Sequence, residues 1–195
     1  MTEESKAKVS RGTGYEQFID LFEKYRSLSV SAGAAGVAPF VAYLVGVAPP
    51  WPPGVIAITT LVELLTLMLV FHFLKRAARR VIDRVLVVCT GSLVFLSTLY
   101  LVAFSFLTYK VPGDSARGVI GFICRKDIPR ETAASCPYVD IDRIKDAEYN
   151  ARLIWSDWTV DLTASSIALL WLGCFVILAI VIGTFLVYQS RVRRS

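Results

Sequence analysis

A single carboxylate, that of Glu63, lies in the middle of an apolar run that extends over residues 54–74. Thr59, Thr60 and Thr66 are three or four residues away, so a helix would place their hydroxyls and the carboxylate on one face. A charged carboxylate at the centre of a bilayer costs about 2.5 to 3.5 kcal/mol, and it therefore faces the inside of a helix bundle or a watery cavity. The pattern indicates a site that handles protons or cations. The alternative, which the sequence leaves open, is a protonated glutamic acid that is hydrogen-bonded to a neighbouring helix.

The remaining ionisable residues form no set that is typical of a catalytic, metal or cofactor site. The only histidine, His72, is nine residues from Glu63 and thus about half a turn out of phase with it on a helix, so we interpret it as interfacial. Asp140 and Asp142 have no base or metal ligand at a useful spacing. No glycine-rich phosphate loop, zinc spacing or nucleic-acid motif occurs in the sequence. We therefore predict a protein that is not an enzyme and that binds no metal, no cofactor and no nucleic acid.

The elements that must position Glu63 are long apolar helices. The chain of 195 residues is 55% hydrophobic and 19% charged, which is too apolar for a soluble domain of this size. Four runs are long enough for a helix to cross the apolar core of a bilayer, which is about 30 Å thick. These runs are residues 28–48, 54–74, 81–107 and 164–188. The sequence predicts an all-α integral membrane protein with a four-helix transmembrane bundle.

Basic residues predict how the bundle is oriented, because Lys and Arg near the ends of spans are retained in the cytoplasm. They cluster behind the second run, at Lys75, Arg76, Arg79 and Arg80, and in the tail of residues 189–195, at Arg191, Arg193 and Arg194. We therefore interpret the net charge of +5 as a topological signal and expect both termini in the cytoplasm. The single asparagine, Asn150, lies outside any glycosylation sequon. Together with the many Ala, Val and Arg residues, this favours a bacterial inner membrane.

Residues 108–161 form the one sizeable region between spans, and we predict a small extracytoplasmic α/β insertion there. Cys124 and Cys136 are the only cysteines outside the runs, and an oxidising compartment favours a disulfide between them. A strand is predicted over residues 118–123, and a helix over residues 140–158 that leads into the last span. Trp51, Trp155 and Trp158 are predicted to anchor the chain at the membrane interface.

Small residues predict where helices approach each other closely. Ala34, Ala38, Ala42 and Gly46 recur every fourth residue in the first run, and Gly173 and Gly183 offer similar points in the last. In lipid, such residues let two backbones gain dispersion contacts. The sequence does not decide whether the stripe in the first run packs against a helix of the same chain or against a second copy.

The functional hypothesis follows from these features. We expect an oligomeric four-span protein that acts as a pore-like or signal-sensing membrane component through its extracytoplasmic subdomain. One alternative is an accessory or scaffold subunit that contacts a protein partner through an amphipathic helix in residues 1–27, predicted from a capping box at Thr13. Another is a membrane-perturbing effector of a bacterial defence or toxin system.

Overall fold

A computed structural model of the chain describes residues 37–50, 52, 54–74, 77–112, 117–128 and 134–192, and it leaves out the side chains of residues 190–192. The predictions for residues 1–27, Ala34 and Trp51 lie outside this part of the chain. The described part is mostly helical, and three of its helices are long and apolar enough to cross a membrane.

The elements follow one another in a simple order. Helix α1 comprises the described residues 37–44, and it is followed by α2 (Val55–Leu74) and α3 (Arg79–Leu107). Strands β1 (Thr108–Lys110) and β2 (Arg117–Val119) come next, then the short helices α4 (Ile141–Asp146) and α5 (Ala151–Ile154), and finally α6 (Asp157–Val192). Three of the four predicted apolar runs are therefore helices of membrane-spanning length.

Helix α6 is the centre of the bundle, because both α2 and α3 pack chiefly against it. Contacts between α2 and α6 advance in the same direction along both helices, which shows that they run parallel; the pairs are Thr59 with Trp171, Leu67 with Ala179, and Val70 with Gly183. Helix α3 runs antiparallel to α6, since Tyr100 contacts Trp171 while Arg79 contacts Tyr188. The first residues of α2 and α6 thus lie at the same end of the bundle as the region between α3 and α6.

The outer faces of α2 and α3 are apolar and exposed. Met68 of α2 and Val87 of α3 are 71% and 72% exposed, and aliphatic or aromatic side chains surround them along both helices. In water, apolar surface costs about 25 cal/mol per Å², so rows of such residues favour a lipid environment. This exposure and the helix lengths are both consistent with a membrane protein.

The first helix ends earlier than predicted. Gly46 has a φ of +76°, which glycine adopts without a steric penalty. Its amide donates to Tyr43 O at 2.9 Å and the Val47 amide donates to Ala42 O at 3.1 Å, the two hydrogen bonds of a Schellman motif. Gly46, which was predicted to pack against another helix, therefore ends the helix instead.

The two described alanines of the small-residue stripe have a partner within the chain. Ala38 and Ala42 are half-buried and pack against the aromatic core that includes Tyr100 and Trp171. The Tyr100 hydroxyl also donates a hydrogen bond to Val47 O just beyond the helix. At these positions the stripe joins the first helix to its own bundle.

The predicted disulfide between Cys124 and Cys136 is confirmed. The region around it also contains a two-stranded antiparallel sheet in which Tyr109 pairs with Gly118. The predicted strand at residues 118–123 is shorter and begins earlier, and its partner β1 was not predicted. Ile123 O accepts from the Ser156 amide, so the segment before the disulfide is held against the start of α6.

The predicted continuous helix over residues 140–158 is in fact three elements. Helix α4 ends where Glu148 and Tyr149 take φ values of +52° and +57°, and α5 begins after Asn150, whose side chain accepts from the Arg152 amide. The break turns Trp155 inward. It is fully buried and donates its indole N–H to Pro137 O at 3.2 Å, so it is a core residue of the subdomain rather than the predicted interface anchor.

Candidate intramembrane site

The buried face of α2 is built from residues that recur every three or four positions: Thr59, Glu63, Leu67 and Val70. This spacing places them in one row along the helix. Thr59, Leu67 and Val70 each contact α6, so the row faces that helix. Glu63 lies between Thr59 and Leu67 and therefore reaches α6 at about the level of Phe175.

Glu63 is completely buried at this level. Neither of its carboxylate oxygens has a hydrogen-bond partner among the residues that the structure describes. Residues 55–74 contain no Lys or Arg, and in α3 and α6 the basic residues lie near helix ends, at Arg79, Arg80, Arg84 and Arg191. A polar group that is buried without a partner costs about 1 to 3 kcal/mol, and more when it is charged. Glu63 is thus an energetically costly residue at this place.

The three threonines share the neighbourhood of Glu63, but their hydroxyl protons are already used. Thr59 donates to Val55 O at 2.7 Å, Thr60 to Ile56 O at 2.9 Å, and Thr66 to Val62 O at 2.7 Å. Each bond stays within α2, as is common for hydroxyls in apolar helices. The three hydroxyls can therefore only accept hydrogen bonds from groups outside α2. Thr59 lies on the buried row with Glu63, whereas Thr60 and Thr66 are half-buried at its edges.

A buried hydrogen bond between α2 and α6 near the site was not predicted. The Trp171 indole N–H donates to the Thr59 hydroxyl oxygen at 3.0 Å in a buried position. Trp171 also contacts Tyr100 and Phe175, with ring centroids 5.6 and 4.5 Å away. The sequence feature that could have indicated this bond is Trp171 itself, because a buried indole N–H requires a hydrogen-bond acceptor.

The geometry defines what these residues can do chemically. The two carboxylate oxygens of Glu63 are acceptors without a described donor, whereas the Thr59 oxygen already accepts from Trp171. A carboxyl of this kind suits a proton or a small cation. The described residues hold no group of three His, Cys, Asp or Glu side chains that could ligate a metal ion.

The two described tryptophans that were predicted as interface anchors differ in exposure. Trp158 is 57% exposed at the start of α6 and its ring meets Phe122 edge-on at 5.3 Å, whereas Trp155 is buried.

Near the disulfide, Arg125 donates two hydrogen bonds to the Asp127 carboxylate, which lowers the pKa of that carboxyl. Both side chains are exposed, so this pair contributes little to stability.

No family model matches the chain, and no curated protein and no solved structure matches it either.

Proposed function

We propose that this chain is an integral membrane protein of the channel or sensor type in which Glu63 takes up a proton or a small cation. The observation that carries the proposal is the complete burial of both Glu63 oxygens without a partner among the described residues. An apolar residue would avoid that cost at the same position. An ionisable residue inside a membrane span is by default a candidate functional site.

The proposal includes a fourth span. Residues 37–44 are helical, and Ala38 and Ala42 pack against the same aromatic core as α3 and α6. Their outward neighbours Phe40 and Leu44 are 52% and 67% exposed, as expected for a helix that faces lipid. These features support a bundle of four helices made by residues 28–48 together with α2, α3 and α6.

The proposed orientation places both termini in the cytoplasm. Arg79 hydrogen-bonds to Tyr188 at 3.3 Å, so the basic start of α3 and the end of α6 share one end of the bundle. Lys and Arg near span ends favour the cytoplasmic side. Residues 108–156 then form the extracytoplasmic insertion at the opposite end, which suits the disulfide.

The burial of Glu63 supports the sensing form of the proposal over a permanently open pore. Glu63 faces α6 of its own chain, between a hydrogen bond at Thr59 and tight packing at Gly183. An ion or water can reach the carboxyl only when α2 and α6 separate locally. Uptake of a proton or cation would therefore be coupled to a change in the α2–α6 contact.

Self-association, which the sequence predicted, stays a prediction. Ala38 and Ala42 contact their own chain, so these two residues do not require a second copy. The mass of the purified chain in nanodiscs tests this point separately from ion uptake. A bacterial inner membrane as the location likewise stays a prediction.

The proposal is tested by recording currents from the full chain in a planar bilayer at acidic and neutral pH. Wild type is compared with Glu63→Gln, which keeps the size of the side chain but cannot ionise. We expect unitary steps in wild type that change with pH, and steps in Glu63→Gln that are absent or no longer respond to pH.

Thr60→Val is the matched control, because Thr60 lies three residues from Glu63 and, among the described residues, its hydroxyl donates a hydrogen bond only to Ile56 O. It should behave as wild type. A bilayer that stays silent although insertion has been demonstrated would overturn the channel form of the proposal, and steps with the same pH response in Glu63→Gln would overturn the role of Glu63.

A further inference from the structure

We infer that an acyl chain of a bilayer phospholipid binds in a cleft between the insertion and the start of α6. The cleft has a volume of about 260 Å³ and is lined by residues from four separate segments. Leu107 ends α3, Ile120 follows β2, Pro137 follows the disulfide, and Thr163 and Ser166 lie in the first turns of α6. Nothing in the proposed role of Glu63 depends on this cleft.

The chemistry of the lining selects an apolar occupant. None of the described residues that line the cleft is charged. The hydroxyls of Thr163 and Ser166 donate to Thr159 O at 2.9 Å and Leu162 O at 2.8 Å, so their protons are already used. Pro137 O accepts the indole N–H of Trp155. A polar ligand would lose its hydrogen bonds with water here and gain few in return, which costs free energy.

The mouth of the cleft is apolar as well. Phe122 and Leu162 are 47% and 50% exposed, and Tyr138 is 69% exposed. Trp158, which is also exposed, supports Phe122 through an edge-on ring contact at 5.3 Å. A cluster of this kind is unfavourable in water but suits the membrane interface, where aromatic rings are enriched.

The exposed face of α6 indicates from which side an acyl chain enters the cleft. Leu162, Ser166 and Leu169 are spaced by four and three residues and therefore lie on one helix face. Leu169 is 68% exposed within the apolar stretch of α6 and so faces lipid. The cleft is thus continuous with the lipid-facing surface, and a chain that lies along this face from Leu169 reaches the cleft at Ser166. This continuity favours a bilayer lipid over a second copy or a peptide.

Photolabelling tests the inference. The full chain is placed in nanodiscs of phosphatidylcholine that carries a diazirine near the ester end of one acyl chain, and the labelled residues are identified by mass spectrometry. We expect label at residues 120–122 and 137–138 above the level found at exposed positions of α3. Ser166→Trp should fill the cleft and reduce this label to the α3 level.

Ser105→Trp is the matched control, because Ser105 is an exposed serine two residues before Leu107 and does not line the cleft. It should label as wild type. Ser166→Leu is the second variant in case the tryptophan disturbs folding, and an intact Cys124–Cys136 bridge shows that the insertion has folded.

Two outcomes would overturn the inference. They are uniform label over the lipid-facing residues and cleft label that survives both Ser166 substitutions. The inference rests on the proposed membrane insertion, which carbonate extraction checks independently. Glu63→Gln should label as wild type, so failure of the Glu63 proposal and failure of this one are distinguishable.

Discussion

Replacing Glu63 by methionine should make the protein more stable, although Glu63 is the proposed functional residue. The carboxyl is fully buried, and its two oxygens lack partners among the described residues. Methionine has a similar length and no hydrogen-bonding requirement, and it adapts to irregular apolar sites. The substitution removes the penalty of an unsatisfied polar group, which is about 1 to 3 kcal/mol. Glu63→Met should therefore raise the free energy of unfolding by an amount in that range.

The assay is reversible unfolding in mixed micelles with increasing detergent denaturant, followed by circular dichroism. Glu63→Gln serves as the first control, because the amide stays polar and buried and should change stability much less than methionine does. Thr60→Val is the second, since it removes one hydroxyl whose bond to Ile56 O stays within α2. Side-chain hydrogen bonds between membrane helices contribute about 0.6 kcal/mol on average, and the Thr60 bond joins no second helix.

The opposite sign would refute the reasoning. If Glu63 is a protonated acid that donates a hydrogen bond to a neighbouring helix, methionine removes that bond and Glu63→Met should lose about 0.6 to 1.7 kcal/mol. A destabilised Glu63→Met would thus favour the structural alternative that the sequence left open. A stabilised variant that has also lost its pH-dependent currents would favour the functional one.

Three further predictions concern other parts of the molecule. Gly183→Ala should destabilise the chain, because its Cβ would lie 2.8 Å from a Val70 methyl. Gly173→Ala should instead gain up to about 1 kcal/mol in the same unfolding assay, since among the described residues no atom beyond its own stretch of helix would lie within 4 Å of the new Cβ. Glu148→Gly should stabilise the chain by about 1 kcal/mol in thermal unfolding, because Glu148 has a φ of +52°. Arg125→Gln should raise the pKa of Asp127 towards its usual value, because it removes the hydrogen bonds of the guanidinium; NMR titration measures this pKa. In wild type, the small contribution of this pair to stability is lost as the pH falls through the lowered pKa of Asp127.

The features that the sequence predicted well are local ones. Helices in the three apolar runs follow from hydropathy over about 20 consecutive residues, which depends on no distant contact. The disulfide followed from the position of Cys124 and Cys136 outside these runs. Glu63 was identified as the one carboxylate in mid-run, and its complete burial agrees with the expectation that it faces the inside of the bundle.

The features that the sequence did not predict depend on contacts between distant residues. Trp155 and Trp158 are three residues apart, and both looked like interface anchors. The isolated β-bridge between Cys124 and Trp155 and the hydrogen bond to Pro137 O hold Trp155 inward. Likewise, Gly173 and Gly183 look alike in the sequence, but the parallel register of α2 and α6 brings only Gly183 against a valine.

Along the contact between α2 and α6, two stabilising interactions flank one destabilising position. At one level Trp171 donates to Thr59, and at the other Gly183 lets Val70 approach closely. Glu63 lies between them and weakens the contact at that level, because its burial costs free energy that the described contacts do not return. A helix pair that is fixed at both ends and costly in the middle can open locally without separating, as regions of low local stability do. This order explains why Glu63→Met and Gly183→Ala, two substitutions on one contact, should change the free energy of unfolding in opposite directions.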